Sequence, residues 1–549
     1  MRKSLRPFAV VVLTQLLLAF NISTLKISID AIVASYGTTP NAVKSAIIIY
    51  SLVVAACIMV GAKVSAALGP RRVFRKTMLL FALAMLAMVL STDALMMILA
   101  QATAGAAAAV LGPTAIMLVA EHYAGAQTKM LGWLSAARSA SLIGAFLIAG
   151  ALATWSDWRL TYVLLLILTL LAYALGEKLD VRSAAGAVPA LGIDKIGFAL
   201  LVCAVALLGF GFGNLSDWGV LRAAPGAPLG ALNISPALVL IVCGLLVSKA
   251  LIVWSRKLRA AGRAPLVSPE LVGTPLERAV LLSIFTIGAV SSGVTFLIPL
   301  YIEIVQGRNS VYTALALTPF TAASFAAAIL VVRIPARIAL SRIARLAFVL
   351  VAAGLMLLGA VIRNDWSDLT VITSLTLTGA GEGTLVTLLF KLLAAASPRE
   401  AAADVDPLCS AMSHLAVGVG TAVAGALVIG LLSASVHRDL ALDPAFAATL
   451  RAHVDLDKVD FVSNDQLRRA LERSNIAPQH VDAAVRINTQ ARLRALKTSF
   501  FALAALALLA VIPCARIHDE DLRTNSRGGR SDGALRRRDQ PVSGPSLPG

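Results

Sequence analysis

The apolar residues of this chain are gathered into long stretches separated by short polar segments. A helix needs roughly 20 apolar residues to cross the ~30 Å hydrocarbon core of a bilayer, and about fourteen stretches approach or reach that length. Because a backbone in lipid has to satisfy its hydrogen bonds internally, each stretch predicts a transmembrane helix. The predicted spans are residues 8–32, 44–67, 76–92, 95–119, 131–153, 159–176, 194–213, 235–254, 279–302, 312–332, 344–362, 369–391, 412–435 and 498–515.

The composition supports an all-α polytopic membrane protein. The chain is 58% hydrophobic and 14% charged, whereas a soluble globular protein carries about a quarter charged residues. The five cysteines fall within spans or toward the predicted cytoplasmic side, without the spacing of a metal site or a disulfide framework. The loops carry no hydrolase, zinc-protease or nucleotide-binding motif, so we expect no enzyme activity and no cofactor.

The distribution of positive charge predicts the topology. The formal net charge is +18, which by itself would suit a nucleic-acid partner. With both termini in the cytoplasm, however, the predicted inner segments hold most of the lysines and arginines, as the positive-inside rule expects. The short outer segments hold only Lys44, Arg159, Arg222, Arg308 and Arg363. Topology therefore explains the charge better than nucleic-acid binding, which we do not expect.

The most basic inner loop, residues 254–278, follows the eighth span and divides the chain into six spans, two spans and six spans. The predicted units are a first six-helix bundle, an inserted helix pair, a second six-helix bundle and a tail. Their bounds are residues 1–176, 177–265, 266–517 and 518–549.

Two polar segments lie outside the predicted spans. Residues 436–496 are placed on the outer face, where Ser463 is a candidate helix N-cap and Pro478 opens a helix that runs on into the last span. This insert is the candidate site for a periplasmic partner. Residues 518–549 are rich in Gly, Ser, Pro and Arg, and we expect a disordered cytoplasmic tail.

The loop between the second and third spans carries two spaced glycines followed by basic residues, namely Gly61, Gly69, Arg71, Arg72 and Arg75. This arrangement resembles the cytoplasmic loop signature of the major facilitator superfamily. The resemblance implies that the three arginines anchor a gate at the cytoplasmic face. Topology determination alone is the alternative for them.

Further motifs are similar to those of the fourteen-span drug:proton antiporters of that superfamily. They are Gly144 through Gly150 followed by Trp158 and Arg159, Pro299 through Gly307, and the glycines of residues 379–383. Gly144 and Gly150 would let helices approach closely, either for sliding or for ordinary packing. The resemblance implies alternating access in a bacterial inner membrane and proton-driven export of small amphipathic or cationic compounds.

Four positions depart from that family pattern. Asn21 stands where the family carries an acid, Gln101 where it carries a membrane-embedded arginine, Ala66 where it carries an acid and Ala145 where it carries a proline. Asn21 and Gln101 remain candidates for lining the substrate cavity. Because these departures affect coupling positions, an importer or facilitator of another small solute remains an alternative.

Ionisable residues within spans are costly and therefore functional candidates. Glu382 is the deepest carboxylate and the first proton-site candidate, against the alternative of a helix-to-helix hydrogen bond. Lys26 is expected to face substrate or a counter-ion, with Glu382 as one partner. Arg138 either faces the cavity or reaches the inner surface. Glu303 is a second proton candidate, although its place near the outer end of span nine indicates exposure at the mouth.

The sequence thus predicts a secondary transporter whose partners are a small-molecule substrate, protons and the lipid bilayer. A membrane sensor or scaffold that uses the 436–496 insert is the alternative of another class. The short tail after the last span argues against it, since a sensor normally carries a sizeable folded cytoplasmic domain.

Overall fold

A computed structural model gives the architecture. It describes residues 6–122, 127–177, 193–224, 227–228, 233–333, 339–363, 366–398, 401–441, 464–473 and 478–515. The described residues are helical or in connecting segments, and the α-helices are α1 Arg6–Ile27, α2 Ile29–Tyr36, α3 Pro40–Leu68, α4 Pro70–Leu90, α5 Ala94–His122, α6 Gln127–Trp155, α7 Trp158–Glu177, α8 Lys195–Gly213, α9 Leu215–Trp218, α10 Pro236–Ala260, α11 Pro275–Pro299, α12 Ser310–Val331, α13 Leu340–Val361, α14 Leu369–Ala396, α15 Ala402–Ala441, α16 Asn464–Arg473, α17 Pro478–Leu509 and α18 Val511–Ala515. A π-helical turn, Leu300–Val305, continues α11.

The prediction of an all-α membrane protein is confirmed. Thirteen of the described helical segments are long and apolar enough to cross a bilayer. The remaining predicted span, residues 131–153, corresponds to α6, a helix of 29 residues. Each of the fourteen predicted spans therefore corresponds to a long helix, and the first also includes the start of the short helix α2.

Some bounds differ from the prediction because turn residues interrupt or extend the apolar stretches. The first predicted span is broken at Ser28, since α1 ends at Ile27 and α2 begins at Ile29. The third begins at Pro70 rather than at residue 76. Gly69 has a φ of 86° there, a conformation that glycine adopts without strain, and proline is well suited to the first turn of a helix.

The helices pack in two groups with a pair between them. One group consists of α1, α3, α4, α5, α6 and α7, and the other of α11, α12, α13, α14, α15 and α17. The groups meet where α3 packs on α15 and where α6 packs on α12. The pair α8 and α10 packs together, and α8 lies against both α3 and α15. This arrangement follows the predicted order of six, two and six helices, while the residue borders between the units stay a prediction.

The two groups are joined at the end of the bundle where α1 ends and α12 begins, which we call the closed end. The backbone N–H of Asp30 donates to Glu303 Oε2 at 3.1 Å, and that of Val311 donates to Thr154 Oγ1 at 3.1 Å. Every residue of α1 from Ser23 to Ile27 is buried. At the opposite end of α1, Phe8, Ala9, Val12 and Leu13 are partly or fully exposed. The groups are thus in direct hydrogen-bonded contact at the closed end.

The insert contributes a helical hairpin to the second group. As predicted, a helix begins at Pro478 and continues into the last span. Arg468 of α16 forms an ion pair with Asp482 of α17 at 2.9 Å, and the buried Leu471 and Val481 add apolar contact. The predicted N-cap Ser463 and the predicted tail lie outside the described residues.

Candidate functional site

Glu382 lies on α14 between two serine hydroxyls. Its Oε1 accepts a hydrogen bond from Ser291 Oγ of α11 at 3.1 Å, and its Oε2 accepts one from Ser324 Oγ of α12. Its side chain is partly exposed rather than fully buried. The carboxylate is therefore held in place by hydroxyl groups from two neighbouring helices.

The glycines around Glu382 allow this arrangement. A Cβ at Gly379 would collide with the backbone oxygen of Phe320, and one at Gly383 would collide with that of Ser324. Because both contacts are with backbone atoms of α12, a side chain at either position would push α14 away from α12. The sequence Gly-Ala-Gly-Glu-Gly thus brings the carboxylate within reach of Ser324.

Lys26 lies on α1 and reaches α11 one turn from Ser291. Its Nζ donates to Thr295 Oγ1 at 2.8 Å, and Thr295 Oγ1 donates to the backbone oxygen of Ser291 at 2.9 Å. The Lys26 side chain is almost fully buried. The ammonium and the Glu382 carboxylate interact electrostatically.

Lys26 and Glu382 are not in direct contact, since the described ion pairs closer than 4.0 Å do not include them. Both instead bind hydroxyl groups on the same face of α11. Residues four apart on a helix are neighbours on its surface, about 5–6 Å apart. The two charges therefore face each other across a gap spanned by Ser291 and Thr295.

Asn21 and Gln101 form a pair of side-chain amides between α1 and α5. Asn21 Nδ2 donates to Gln101 Oε1 at 2.9 Å, and Gln101 Nε2 donates to Asn21 Oδ1 at 3.3 Å. Both residues are 0% exposed. The two positions that depart from the expected family pattern therefore form one neutral, mutually hydrogen-bonded pair.

Glu303 is not exposed at the mouth, and that expectation is wrong. The residue is 1% exposed, because the π-helical turn directs it into the contact with α2, where Asp30 N–H donates to it. A π turn inside a helix is rare and often found at functional sites. Glu303 thus lies at the contact between the two helix groups. Among the described hydrogen bonds, it shares none with Lys26 or Glu382.

The residues of the signature loop bind neighbouring helices. Gly61 packs against the backbone oxygen of Ala109, where a Cβ would collide, and Gly69 provides the turn. Arg75 pairs with Glu177 of α7 at 2.7 Å, and Arg71 donates to the backbone oxygen of the same residue. Arg72 is exposed. In this conformation the arginines hold α7, within their own helix group.

Lys63 lies within the same loop motif and was missed as a functional residue. Its Nζ donates to the backbone oxygen of Pro265, and it interacts electrostatically with Asp404 of α15 and Asp194. Lys63 thus connects α3 to the segment before α11 and to the second helix group. Its position between the two glycines was the only signal in the sequence.

The two glycines predicted to pack helices differ. At Gly150, a Cβ would lie 2.7 Å from the backbone oxygen of Ser310, so α6 and α12 approach closely there. At Gly144 a Cβ would meet nothing within 4 Å, so packing does not require a glycine at that position. Arg138 belongs to α6, and its side chain lies outside the described part of the structure.

The groups of the site are suited to binding charged and polar ligands. It offers one ammonium, one carboxylate, three hydroxyls and a neutral amide pair. Within the described residues, no group of three or more His, Cys, Asp or Glu side chains is placed to hold a metal ion. Ser291, Thr295 and Ser324 were missed from the sequence because hydroxyl residues also occur at ordinary helix contacts.

Comparison with known sequences points to one family. The sequence model of the Major Facilitator Superfamily matches residues 11–425. The cephamycin export protein CmcT of Amycolatopsis lactamdurans is 24% identical over 306 residues, which cover 55% of this chain and 60% of that protein. The lincomycin resistance protein of Streptomyces lincolnensis is 28% identical over 206 residues, 37% of this chain and 42% of that protein. The chain thus spans about half the length of the curated relatives it matches.

Solved transporter structures share the fold. A bacterial homologue of the human lysosomal transporter Spinster, in an inward-facing and unoccupied conformation, matches with a TM-score of 0.55 and 13% identity, covering 94% of this chain and 99% of that one. The peptide transporter POT in complex with sulfate matches with a TM-score of 0.59 and 12% identity, covering 94% and 95%. At such identities the likeness shows the fold alone.

Proposed function

Because the chain belongs to the Major Facilitator Superfamily and is a multi-pass membrane transporter, we propose that it exports small amphipathic or cationic organic compounds in exchange for protons. The export resembles that of the fourteen-span drug:proton antiporters and takes place across a bacterial inner membrane. Transport proceeds by alternating access, as the two helix groups rock about a site near the bilayer midplane.

One observation carries this proposal: Glu382 is held between two hydroxyls, partly accessible and opposite Lys26, where helices of the two groups meet. Placing a carboxylate within a membrane costs free energy, so carboxylates in transmembrane helices commonly mark ion or proton pathways. Its two serine partners come from α11 and α12. The carboxylate can therefore bind either a proton or the cationic group of a substrate, and competition between the two couples their fluxes.

The direction of exchange follows from the proposed topology. With both termini in the cytoplasm, the closed end faces outward. In the proposed cycle a substrate reaches Glu382 from the cytoplasm while the closed end is sealed. After the closed end opens, a proton from outside takes its place on the carboxylate. Glu303 is the second proton candidate, because it lies where the outer seal must open.

The names of the sequence relatives support export as the direction. One relative is named for cephamycin export and the other for lincomycin resistance. Both names concern antibiotics. The similarity therefore favours small organic compounds as substrates of this chain.

The test is substrate accumulation in efflux-deficient bacterial cells that express the chain. Ethidium is followed by fluorescence and cephalexin, which carries both an ammonium and a carboxylate, by mass spectrometry, with and without a protonophore. We expect lower accumulation of at least one compound, restored by the protonophore, and loss of this effect in Glu382→Gln. Glu121→Gln, which changes an exposed carboxylate on α5, is the matched control and should behave as wild type.

Two results of this test contradict the proposal. Unchanged accumulation of both compounds excludes export of such cations. Protonophore-sensitive export that persists in Glu382→Gln excludes that residue as the exchange site, and the same assay on Glu303→Gln then decides whether the second carboxylate serves instead.

A facilitator is the second candidate function, and the Asn21–Gln101 pair favours it. This pair carries no titratable group, so the helices α1 and α5 contribute no proton site at these positions. A facilitator lets its solute equilibrate, and its flux responds to the solute gradient rather than to the protonophore. The accumulation assay separates the two functions by that response.

A further inference from the structure

We propose that the substrate is amphoteric: it carries an ammonium group, bound by Glu382, and a carboxylate, bound by Lys26. This inference rests on the proposed function and narrows its substrate class from cations in general to cations that also bear a carboxylate. It follows from the positions of the buried Lys26 ammonium and the Glu382 carboxylate, which bind neighbouring hydroxyls of α11.

The charge balance of the site is the first argument. The described ionisable groups that interact at the site are Lys26 and Glu382, and their charges cancel. A substrate with a single positive charge would leave two cations facing one carboxylate. An amphoteric substrate adds one charge of each sign, so each substrate charge meets an opposite one and the site stays neutral. Buried charges are tolerated when they are paired in this way.

The hydrogen-bonding capacity of Lys26 is the second argument. An ammonium has three N–H donors, and among the described residues Lys26 uses one of them, toward Thr295. Two donors are left for the oxygens of a carboxylate. The neighbouring amide pair of Asn21 and Gln101 satisfies itself, so it does not compete for these donors.

The separation of the two charges is the third argument. Lys26 and Glu382 bind hydroxyls of Thr295 and Ser291, which stand one helical turn apart on α11. A molecule that bridges them needs an ammonium and a carboxylate on one small framework. Amino acid derivatives and amino-substituted antibiotics have this arrangement.

The two residues then have separate tasks in transport. A proton that binds Glu382 neutralises the carboxylate and displaces the substrate ammonium, which couples the fluxes. The groups that face Glu382 from the packed helices are Lys26 of α1, Ser291 of α11 and Ser324 of α12. Lys26 selects solutes that bring a carboxylate.

The experiment compares three probes that differ only in charge. They are cephalexin, which carries both an ammonium and a carboxylate, its methyl ester, which keeps only the ammonium, and its N-acetyl derivative, which keeps only the carboxylate. Uptake into everted membrane vesicles that contain the full chain is measured with respiration on, with ethidium as a fourth probe. We expect cephalexin to be taken up on the order of 10- to 100-fold better than either derivative, as for loss of a buried charge partner.

Variants of Lys26 and Glu382 show which residue binds which charged group of the substrate. Lys26→Gln should remove the preference for cephalexin over its methyl ester and raise uptake of the ester. Glu382→Gln should abolish respiration-driven uptake of every probe. Lys391→Gln, an exposed lysine of α14, is the matched control and should keep the wild-type order of preference.

The outcomes separate this inference from the proposed function. Glu382-dependent uptake of ethidium or of the ester that equals or exceeds that of cephalexin overturns the amphoteric substrate and leaves proton-coupled export intact. A preference for cephalexin that is unchanged in Lys26→Gln also overturns it. Preferential uptake of cephalexin that survives a protonophore supports the substrate class and contradicts proton coupling.

Discussion

Lys26 and Glu382, which lie on α1 and α14, are linked through one turn of α11. Lys26 donates to Thr295 at 2.8 Å, and Ser291, four residues earlier, donates to Glu382 at 3.1 Å. The helix that joins them also belongs to the contact between the helix groups, through the π turn that carries Glu303. Both charges therefore contact a helix that, in the proposed mechanism, moves during alternating access.

Removing the hydroxyls around Glu382 should weaken transport without unfolding the protein. A hydrogen bond to a charged group contributes about 1.5–3 kcal/mol, so we expect Ser291→Ala and Ser324→Ala each to lower the transport rate on the order of tenfold. Rates in everted vesicles, normalised to the amount of folded protein, are the measurement. Ser248→Ala removes a hydroxyl that bonds only the backbone of α10 and serves as control; an equal loss in this variant would show that the effect is not local.

Thr295→Val should lower the stability of the protein more when Lys26 is present than when Lys26 is replaced. The substitution keeps the side-chain shape but leaves the buried ammonium without its described partner, and we expect a loss of roughly 1–3 kcal/mol in stability. In Lys26→Met, the same substitution removes no partner of a charge. Thermal unfolding of purified protein over the four combinations measures the coupling. Additive effects would show that the hydrogen bond between Lys26 and Thr295 has no energetic weight.

Exchanging the neutral amide pair for an ion pair should be tolerated only when both residues change. Asn21→Asp alone buries an uncompensated carboxylate, and Gln101→Arg alone buries an uncompensated guanidinium, each at a cost of about 3–5 kcal/mol. The double variant Asn21→Asp/Gln101→Arg should recover most of that loss. The measurement is the thermal unfolding temperature of each variant. A double variant less stable than either single one would contradict the direct pairing of these two positions.

Gly150→Ala and Gly144→Ala, both on α6, should differ in their effect on the transport rate. A Cβ at Gly150 would press on the backbone of Ser310 and hinder packing at the closed end, so we expect transport to fall several-fold. Gly144→Ala has open space and should keep wild-type transport within a factor of about two. Rates in everted vesicles for both variants test this. Equal rates would mean that the closed end tolerates the extra methyl group and that the close approach does not limit turnover.

The fold could be predicted from the sequence because the length and apolarity of each stretch indicate a transmembrane helix. Each long apolar stretch contains one long helix, and the glycine and proline at residues 69 and 70 determine where a helix begins. The break at Ser28 was not predicted, since Ser28 is one of several polar residues in the span 8–32 and no glycine or proline marks the break.

The site could be predicted only in part. Glu382 and Lys26 stood out because charges are rare within spans, but their bridging through Thr295 and Ser291 depends on helix positions that no local pattern reveals. Glu303 was expected at the surface because it lies near a helix end. The π turn, which directs it inward, has no recognisable sequence signal. Asn21 and Gln101 were recognised as departures from a family pattern, and their pairing required the packing of α1 on α5.

The central claim, proton exchange at Glu382, is tested most directly with purified protein in liposomes that enclose a pH-sensitive dye. The solute found to be exported from cells is added to one side, with no other gradient. For the wild type we expect solute movement to drive protons the opposite way, seen as a dye response that Glu382→Gln abolishes while the variant still folds and inserts. A proton flux of wild-type size in Glu382→Gln, or solute movement without any proton flux in the wild type, would contradict the account.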